Sequence, residues 1–146
     1  MTQLSSDTLH ASCVAIAGHA VLLCGRSGAG KSDLALRLID RGAMLVSDDY
    51  SVVYRRDGRL HATSPANIAG RIEVRGLGIV DMPHLSDAEV ALIIDLDSIV
   101  DRMPEPATRR IAGVAVPTAA LCALEPSAAI KVELLLKAAL AQETAR

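Results

Sequence analysis

The first half of the chain alternates short apolar runs with glycine-rich and charged segments. Residues 21–24 and 44–47 are aliphatic runs of strand length. Between them, apolar side chains recur at helical spacing and predict a helix over residues 32–41, with Gly42 as its stop. The pattern therefore predicts a strand, a glycine-rich loop, a helix and a second strand in succession.

Beyond residue 50 the pattern predicts several strands and one further helix. Residues 51–54 and 59–62 flank an Asp57-Gly58 turn, which is typical of a β-hairpin. Residues 90–96 form a buried strand, and residues 128–142 form a final helix. Shorter strands are predicted at residues 72–74, 114–116 and 119–124, with a loop at residues 63–71 and an exposed connection at residues 97–110.

This element pattern indicates the fold class. Two helices are too few for a doubly wound parallel sheet, in which a crossover, usually a helix, joins each parallel pair. We therefore predict a single α/β domain over residues 1–146, with a mixed, largely antiparallel sheet. Its core must be aliphatic, because the chain has no Phe or Trp and only two Tyr.

Composition excludes several classes of function. Apolar residues make up 51% of the chain, which excludes disorder, and the formal net charge of −2 gives no basic surface for nucleic acid. No stretch of ~20 apolar residues is present to span a membrane. Three cysteines without metal-ligand spacing are typical of a reducing compartment. We expect a cytoplasmic protein that binds neither nucleic acid nor membrane.

The glycine-rich loop carries the strongest motif. It fits the phosphate-loop pattern GxxxxGK[ST] at every fixed position, through Gly25, Arg26, Ser27, Gly28, Ala29, Gly30, Lys31 and Ser32. In such a loop the backbone N–H groups hold phosphates, the lysine reaches the β- and γ-phosphates, and the hydroxyl binds Mg²⁺. A strand before the loop and a helix after it are the context that this motif requires. The sequence therefore predicts a nucleotide site.

Two adjacent carboxylates, Asp48 and Asp49, follow the strand at residues 44–47. Phosphoryl transfer needs a carboxylate near the metal, and often a second that accepts the proton of the attacking hydroxyl. Capping of a turn is the alternative interpretation. Neighbouring residues of a strand face opposite ways, so the pair should not share one role unless the strand has ended.

Three further stretches resemble the catalytic domain of HPr kinase/phosphorylase, in the short form seen in α-proteobacteria. "RGAMLVSDD" at residues 41–49 is similar to that family's RGHxLVADD, and "EVRGLGIVD" at residues 73–81 to its EIRGLGIIxV signature. His10 lies where the family has a histidine before the loop. The resemblance implies a P-loop core related to that of phosphoenolpyruvate carboxykinase, with ATP and Mg²⁺ as cofactors.

The resemblance also implies roles for the site residues. Ser32 and Glu73 look like Mg²⁺ ligands, and Lys31 like the group that stabilises the transferring phosphoryl group. Asp49 matches the family's proton acceptor, while Asp48 would contact phosphate or metal. The sequence leaves open which aspartate takes the proton.

Further positions match the family in the same way. His10 resembles an electrostatic or proton partner of the two aspartates. Arg75 and Gly76 resemble the stretch that lines the phosphates. Arg102, in "VDRM" at residues 100–103, resembles an active-site arginine.

The family transfers phosphate to a serine of the phosphocarrier HPr, and many members reverse the reaction with inorganic phosphate. It also implies a homo-oligomer, commonly a hexamer. One departure bears on the reverse reaction: after Pro117 the chain lacks the family's glycine–arginine pair. We therefore predict weak or absent phosphorolysis, unless Arg102 or Arg110 folds back over the site.

Two alternative functions remain at this stage. One is a small-molecule kinase on the same scaffold, although no acceptor-recognition motif is evident. The other is a nucleotide-binding regulatory module that interacts with a sensor kinase or other phosphotransferase proteins without transferring phosphate. Retention of Lys31, both aspartates and Glu73 argues against such a module.

Overall fold

The computed structural model describes residues 6–144, which form eleven strands and two α-helices. The strands are β1 Ser6–Leu9, β2 Ala11–Ile16, β3 His19–Cys24, β4 Met44–Ser47, β5 Ser51–Arg56, β6 Arg59–Thr63, β7 Arg71–Val74, β8 Gly78–Asp81, β9 Ala88–Asp95, β10 Ala107–Ile111 and β11 Val114–Ala120. The helices are α1 Lys31–Asp40 and α2 Ala128–Thr144, and a short 3₁₀ turn spans Ala66–Ile68. Neither helix is both long and apolar enough to cross a membrane.

Nine of these strands form one sheet. Seven of them lie in the order β1-β5-β6-β9-β3-β2-β4, and β10 and β11 complete the nine. Along one edge of β9, β6 pairs with the start of the strand and β11 pairs with its end. β11 pairs in turn with β10. Only the β3–β9 and β9–β11 pairs are parallel. The predicted fold class, a mixed and largely antiparallel α/β sheet, is confirmed.

Both faces of this sheet are buried by aliphatic side chains. Along β3, Val21 and Leu23 pack in the cluster that includes α1 and α2, whereas Ala20 and Leu22 pack in a second cluster on the other face. This alternation follows from the two-residue period of a strand. Each fully buried leucine contributes roughly 1.5–3 kcal/mol, so the central strands hold the site's framework rigid.

The strand order brings four chain segments to one end of the sheet. Because β2 is antiparallel to both of its neighbours, its start at Ala11 lies beside the end of β3 at Cys24, and Cys13 beside the end of β4 at Ser47. The end of β9 pairs with the end of β3, since these two strands are parallel. The loops that follow β3, β4 and β9 therefore meet the residues that precede β2.

Several element predictions are confirmed by the structure. The strand at residues 44–47 has the predicted bounds, and the helix predicted over residues 32–41 begins and ends one residue earlier. The predicted hairpin is β5 and β6, paired antiparallel around Asp57-Gly58. The final helix extends to residue 144.

Other element predictions were wrong. Residues 97–110 are not wholly a connection, because β10 occupies Ala107–Ile111. The exposed Thr and Arg side chains of β10 give no apolar alternation, so the strand is defined by its pairing with β11 alone. The strand predicted at residues 114–116 and the start of the one predicted at 119–124 belong to one strand, β11, which passes through Pro117. Proline is tolerated there because β9 begins to pair with β11 only at Thr118. Residues 121–124 lie beyond the end of β11 and are not strand.

Two shorter elements were also missed. The pattern did not indicate β1, an exposed strand at Ser6–Leu9 that pairs with β5. The loop at residues 63–71 contains the 3₁₀ turn and the first residue of β7. β1 is set by its pairing with the distant β5, whereas the 3₁₀ turn closes locally, through the backbone N–H of Ile68 and the carbonyl of Pro65.

Candidate active site

The phosphate loop joins the end of β3 to the start of α1. Gly30 precedes the helix with φ of +94°, a conformation that favours glycine, and a Cβ there would lie 2.9 Å from the Cβ of Ala123. The loop therefore needs glycine at this position for both its backbone and its packing. The N-terminus of α1 points its free N–H groups into the loop, which suits a phosphate.

Asp97, just beyond β9, holds the first turn of this loop. The backbone N–H of Arg26 donates to both carboxylate oxygens of Asp97, at 3.0 and 3.2 Å. The backbone N–H of Leu96 also donates to the carbonyl of Cys24, at 2.8 Å. Sequence reasoning missed Asp97, because the contact joins residues 71 positions apart.

Asp48 is a buried carboxylate directed at the phosphate loop. One oxygen accepts hydrogen bonds from Ser32 Oγ at 2.5 Å and from Ser12 Oγ at 3.1 Å. The other accepts one from the backbone N–H of Glu73 at 2.9 Å. Three donors thus fix its orientation and leave it beside the hydroxyl that is predicted to bind metal.

Asp49 faces a different set of groups. The chain leaves β4 at Ser47, and Asp49 adopts a left-handed φ of +64°. Its Oδ1 lies 2.9 Å from His10 Nε2 and 3.6 Å from Lys31 Nζ. β4 has therefore ended before the two aspartates. The turn that follows it still gives the two carboxylates different neighbouring groups.

Lys31 is almost wholly buried, with 4% of its side chain exposed. Its ammonium group donates to the carbonyl of Arg26 at 2.9 Å, so the loop itself holds the lysine in position. His10 stacks on the ring of Tyr50, with the ring centroids 5.0 Å apart. These contacts fix the orientation of both partners of Asp49.

Ser12 connects the two aspartates, and sequence reasoning missed it. Its hydroxyl donates to Asp48 and accepts the backbone N–H of Asp49 at 2.9 Å. The side chain is fully buried in β2. The available signal was a single hydroxyl residue within the otherwise apolar run at residues 11–16.

Two open clefts flank the carboxylate pair. The first, of about 300 Å³, is lined by Asp48, Asp49 and Glu73, with Tyr50 and Ile79 at its apolar side. The second, of about 320 Å³, adjoins the start of the phosphate loop, and its lining includes His10, Gly25, Arg26, Asp97 and Arg109.

The structure brings together most of the predicted site residues. His10, Lys31, Ser32 and the two aspartates are joined by direct contacts, and Glu73 lines the same cleft as the aspartates. Three predicted residues lie elsewhere. Arg75 and Gly76 occupy the exposed turn between β7 and β8, Arg102 lies in the exposed segment before β10, and none of the three lines either cleft.

The oxygen groups around Asp48 suit a magnesium ion. Within residues 6–144 no group of three or more His, Cys, Asp or Glu side chains is arranged to hold a metal alone. Mg²⁺, however, is usually bound through one or two carboxylates together with substrate phosphates and water. The Ser32 hydroxyl and the Asp48 carboxylate are two such oxygen groups beside the loop, and Glu73, whose backbone N–H donates to Asp48, lines the adjoining cleft.

The strand-rich sheet carries a phosphate loop, a buried lysine and two adjacent aspartates with different surroundings. These features define a P-loop protein with acid–base groups beside its phosphate site. The chain belongs to the family of the HPr serine kinase C-terminal domain, which it matches over residues 2–142.

Individual relatives agree with this membership. The chain is 42% identical over 98 residues to the HPr kinase/phosphorylase of Clostridium tetani, covering 66% of this chain and 32% of that protein. Against the enzyme of the same name from Levilactobacillus brevis it is 35% identical over 125 residues, covering 76% and 40% respectively. It thus spans less than half the length of these curated relatives.

A solved structure extends the likeness to the fold. The Hpr(Ser) kinase/phosphatase of Coxiella burnetii superposes with a TM-score of 0.82 at 28% sequence identity. The match covers 94% of this chain and 99% of that one. The strand-rich arrangement around the phosphate loop is therefore shared along nearly the whole of both chains.

Proposed function

We propose that the protein is an ATP- and Mg²⁺-dependent kinase that phosphorylates a serine of an HPr-type phosphocarrier. The observation that carries this proposal is the separation of the two aspartates. Asp48 faces the Ser32 hydroxyl, on the metal side, whereas Asp49 contacts Lys31 and His10. A protein that only binds a nucleotide has no need for this second carboxylate group.

On the nucleotide side, the backbone of residues 25–32 holds the phosphates of ATP. Lys31, fixed by the loop carbonyl, supplies positive charge at the transferring group. Ser32, Asp48 and Glu73 would hold the Mg²⁺, and a bound Mg²⁺ would neutralise phosphate charge. Roles for Arg75, Gly76 and Arg102 at the phosphates are proposed from the family resemblance alone, since none of the three lines either cleft.

On the acceptor side, Asp49 takes the proton of the attacking serine hydroxyl. Its side chain is 47% exposed and reaches the cleft, whereas Asp48 is buried and already accepts three hydrogen bonds. His10 positions Asp49 through their 2.9 Å contact. A base must lie within hydrogen-bond reach of the proton that it abstracts, and of the two aspartates that line the cleft Asp49 is the more accessible.

The acceptor itself is proposed from the family. An HPr-like phosphocarrier is the protein that the names of the relatives indicate, and a cytoplasmic location and a homo-oligomeric assembly are proposed on the same basis. The apolar residues Tyr50 and Ile79, which flank the carboxylates, offer a surface suited to a protein rather than to a small polar acceptor.

The test is a substitution of Lys31 by Ala, assayed for phosphate transfer from ATP. We expect kcat to fall by about 10²–10³-fold, because a positioned charge at the transferring group is lost. Lys131→Ala removes the same charge from the surface of α2, where Lys131 pairs with Glu125, and should leave turnover unchanged. Near-normal turnover of the Lys31 variant would refute the proposed role of the loop.

A further inference from the structure

Two arginines border the second cleft, beside the start of the phosphate loop. Arg26 belongs to the loop itself, and Arg109 comes from β10. His10, the partner of Asp49, lines the same cleft. The cleft therefore adjoins the proposed transfer site and carries positive charge that the proposed function has not used.

The pairing of β10 with β11 sends two consecutive arginines in opposite directions. Arg109 lies opposite Val116 and Arg110 opposite Ala115 in the register. The Arg109 side chain reaches the cleft beside Cys24, whose thiol pKa is raised by burial and lowered in part by this guanidinium. Arg110 instead donates to the carbonyl of Gly113 at 2.5 Å, and it does not line the cleft.

The negative charges near the cleft are already occupied. Asp97 accepts two hydrogen bonds from the backbone N–H of Arg26, and its carboxylate is 3.9 Å from that residue's Nε. Asp95 accepts hydrogen bonds from Ser98 and from the backbone of Asp97. Burial raises the pKa of Asp95, but its hydrogen bonds from Ser98 and Asp97 and the nearby Arg109 guanidinium lower it overall. Arg109 therefore has a carboxylate nearby, although within the described residues no direct ion pair joins Arg109 to a carboxylate.

We propose that Arg109 and Arg26 form a subsite for a phosphate-type oxyanion, separate from the backbone cradle of the phosphate loop. The ligand is a tetrahedral phosphate group, either free inorganic phosphate or the phosphoryl group of a phosphorylated acceptor. A guanidinium presents a planar set of donors that matches such an anion. This inference rests on the proposed function, because it places the subsite next to the transfer reaction.

The subsite bears on the missing glycine–arginine pair after Pro117. From the sequence, inorganic phosphate had no evident cationic partner unless Arg102 or Arg110 folded back. Neither of these lines the cleft, but Arg109 does. A phosphate needs cationic or N–H partners to offset its desolvation, and this chain supplies two exposed guanidinium groups, from β10 and the loop.

The experiment is a titration of inorganic phosphate into protein saturated with Mg²⁺ and AMP-PNP, so that the phosphate loop is already filled. Calorimetry of the wild type should show one further phosphate site. Arg109→Ala should weaken that site by about tenfold or more, since it removes a charge-assisted contact. Arg109→Lys should restore part of the affinity, and Arg110→Ala, the matched loss of one charge, should not change it.

A phosphoserine peptide titrated in parallel identifies the source of the anion. Tighter binding of the peptide than of phosphate, with the same dependence on Arg109, assigns the subsite to the acceptor; the reverse order assigns it to free phosphate. Absence of binding by both, or equal loss in the Arg109 and Arg110 variants, would overturn the proposal. Failure to bind AMP-PNP would instead count against the proposed function. In that case, titration of phosphate without nucleotide would still compare the Arg109 and Arg110 variants.

Discussion

At the scale of residues, the site depends on a change of backbone direction between two identical side chains. Asp48 is the first residue after β4, and Asp49 adopts φ of +64°. Aspartate adopts this left-handed region more readily than most residues do. One carboxylate is thereby fixed by Ser32, Ser12 and a backbone N–H, while the other remains accessible beside His10.

This division predicts different defects for the two aspartates. Asp48→Asn should raise the Mg²⁺ concentration needed for half-maximal activity, because it weakens the metal's oxygen ligands. Asp49→Asn should lower kcat by about 10²–10⁴-fold, the usual contribution of a general base, with little change in the Mg²⁺ requirement. Steady-state kinetics over a Mg²⁺ series separates these effects. The same Mg²⁺ profile in both variants would contradict the division of roles.

Ser12 predicts a coupled loss of stability and activity. Ser12→Ala removes a donor to Asp48 and leaves the partly buried N–H of Asp49 without its acceptor, which costs about 1–3 kcal/mol. Ser51→Ala is the control, because Ser51 is equally buried but donates to the carbonyl of Ala11. The free energy of unfolding, measured with denaturant, and the turnover number should both fall in the Ser12 variant. In the Ser51 variant only stability should fall; an equal loss of activity there would show that the bridge is not specific.

At the scale of elements, a polar network ties the β5–β6 hairpin to the start of β9. Asp87 accepts hydrogen bonds from Tyr54 Oη and from Arg56 at 3.2 Å, and lies 3.2 Å from His61 Nδ1. Burial raises the pKa of Asp87, but the hydrogen bond from Tyr54 and the interactions with His61 and Arg56 outweigh it, and the pKa is lowered below 3.8.

The lowered pKa predicts a stability contribution that depends on pH. It is fully present above the unfolded-state pKa near 3.8 and is lost as pH falls through the lower folded-state pKa. Asp87→Asn should therefore lower the Tm at neutral pH, with a difference from wild type that shrinks in acid. Asp57→Asn, in the exposed hairpin turn, should change the Tm little at any pH. A difference for Asp87 that grows in acid would contradict the assignment.

The local elements could be predicted because their signals lie within a few residues. The phosphate loop, α1, β4 and the β5–β6 hairpin each carry an apolar period or turn sequence of their own. The edge strand β10 has exposed side chains at four of its five positions and no such period. Its pairing with β11 places Arg109, so the second cleft could not be predicted from sequence.

At the scale of the whole molecule, the site is a product of strand order. His10 and Asp49 are 39 residues apart, and they meet because β2 runs antiparallel between β3 and β4. No local pattern specifies this order, so His10 was identified only through family resemblance. Ser12 and Asp97 carry no motif, and their contacts with the site depend on the same topology.

The most direct test of the central claim is transfer of label from γ-labelled ATP, with Mg²⁺, to a purified HPr-type protein and to its acceptor Ser→Ala variant. The account predicts labelled phosphoserine on the unaltered acceptor, none on the Ser→Ala acceptor, and a severe loss when the kinase carries Asp49→Asn. Label on the Ser→Ala acceptor, or no label on either acceptor while the protein binds ATP, would contradict it.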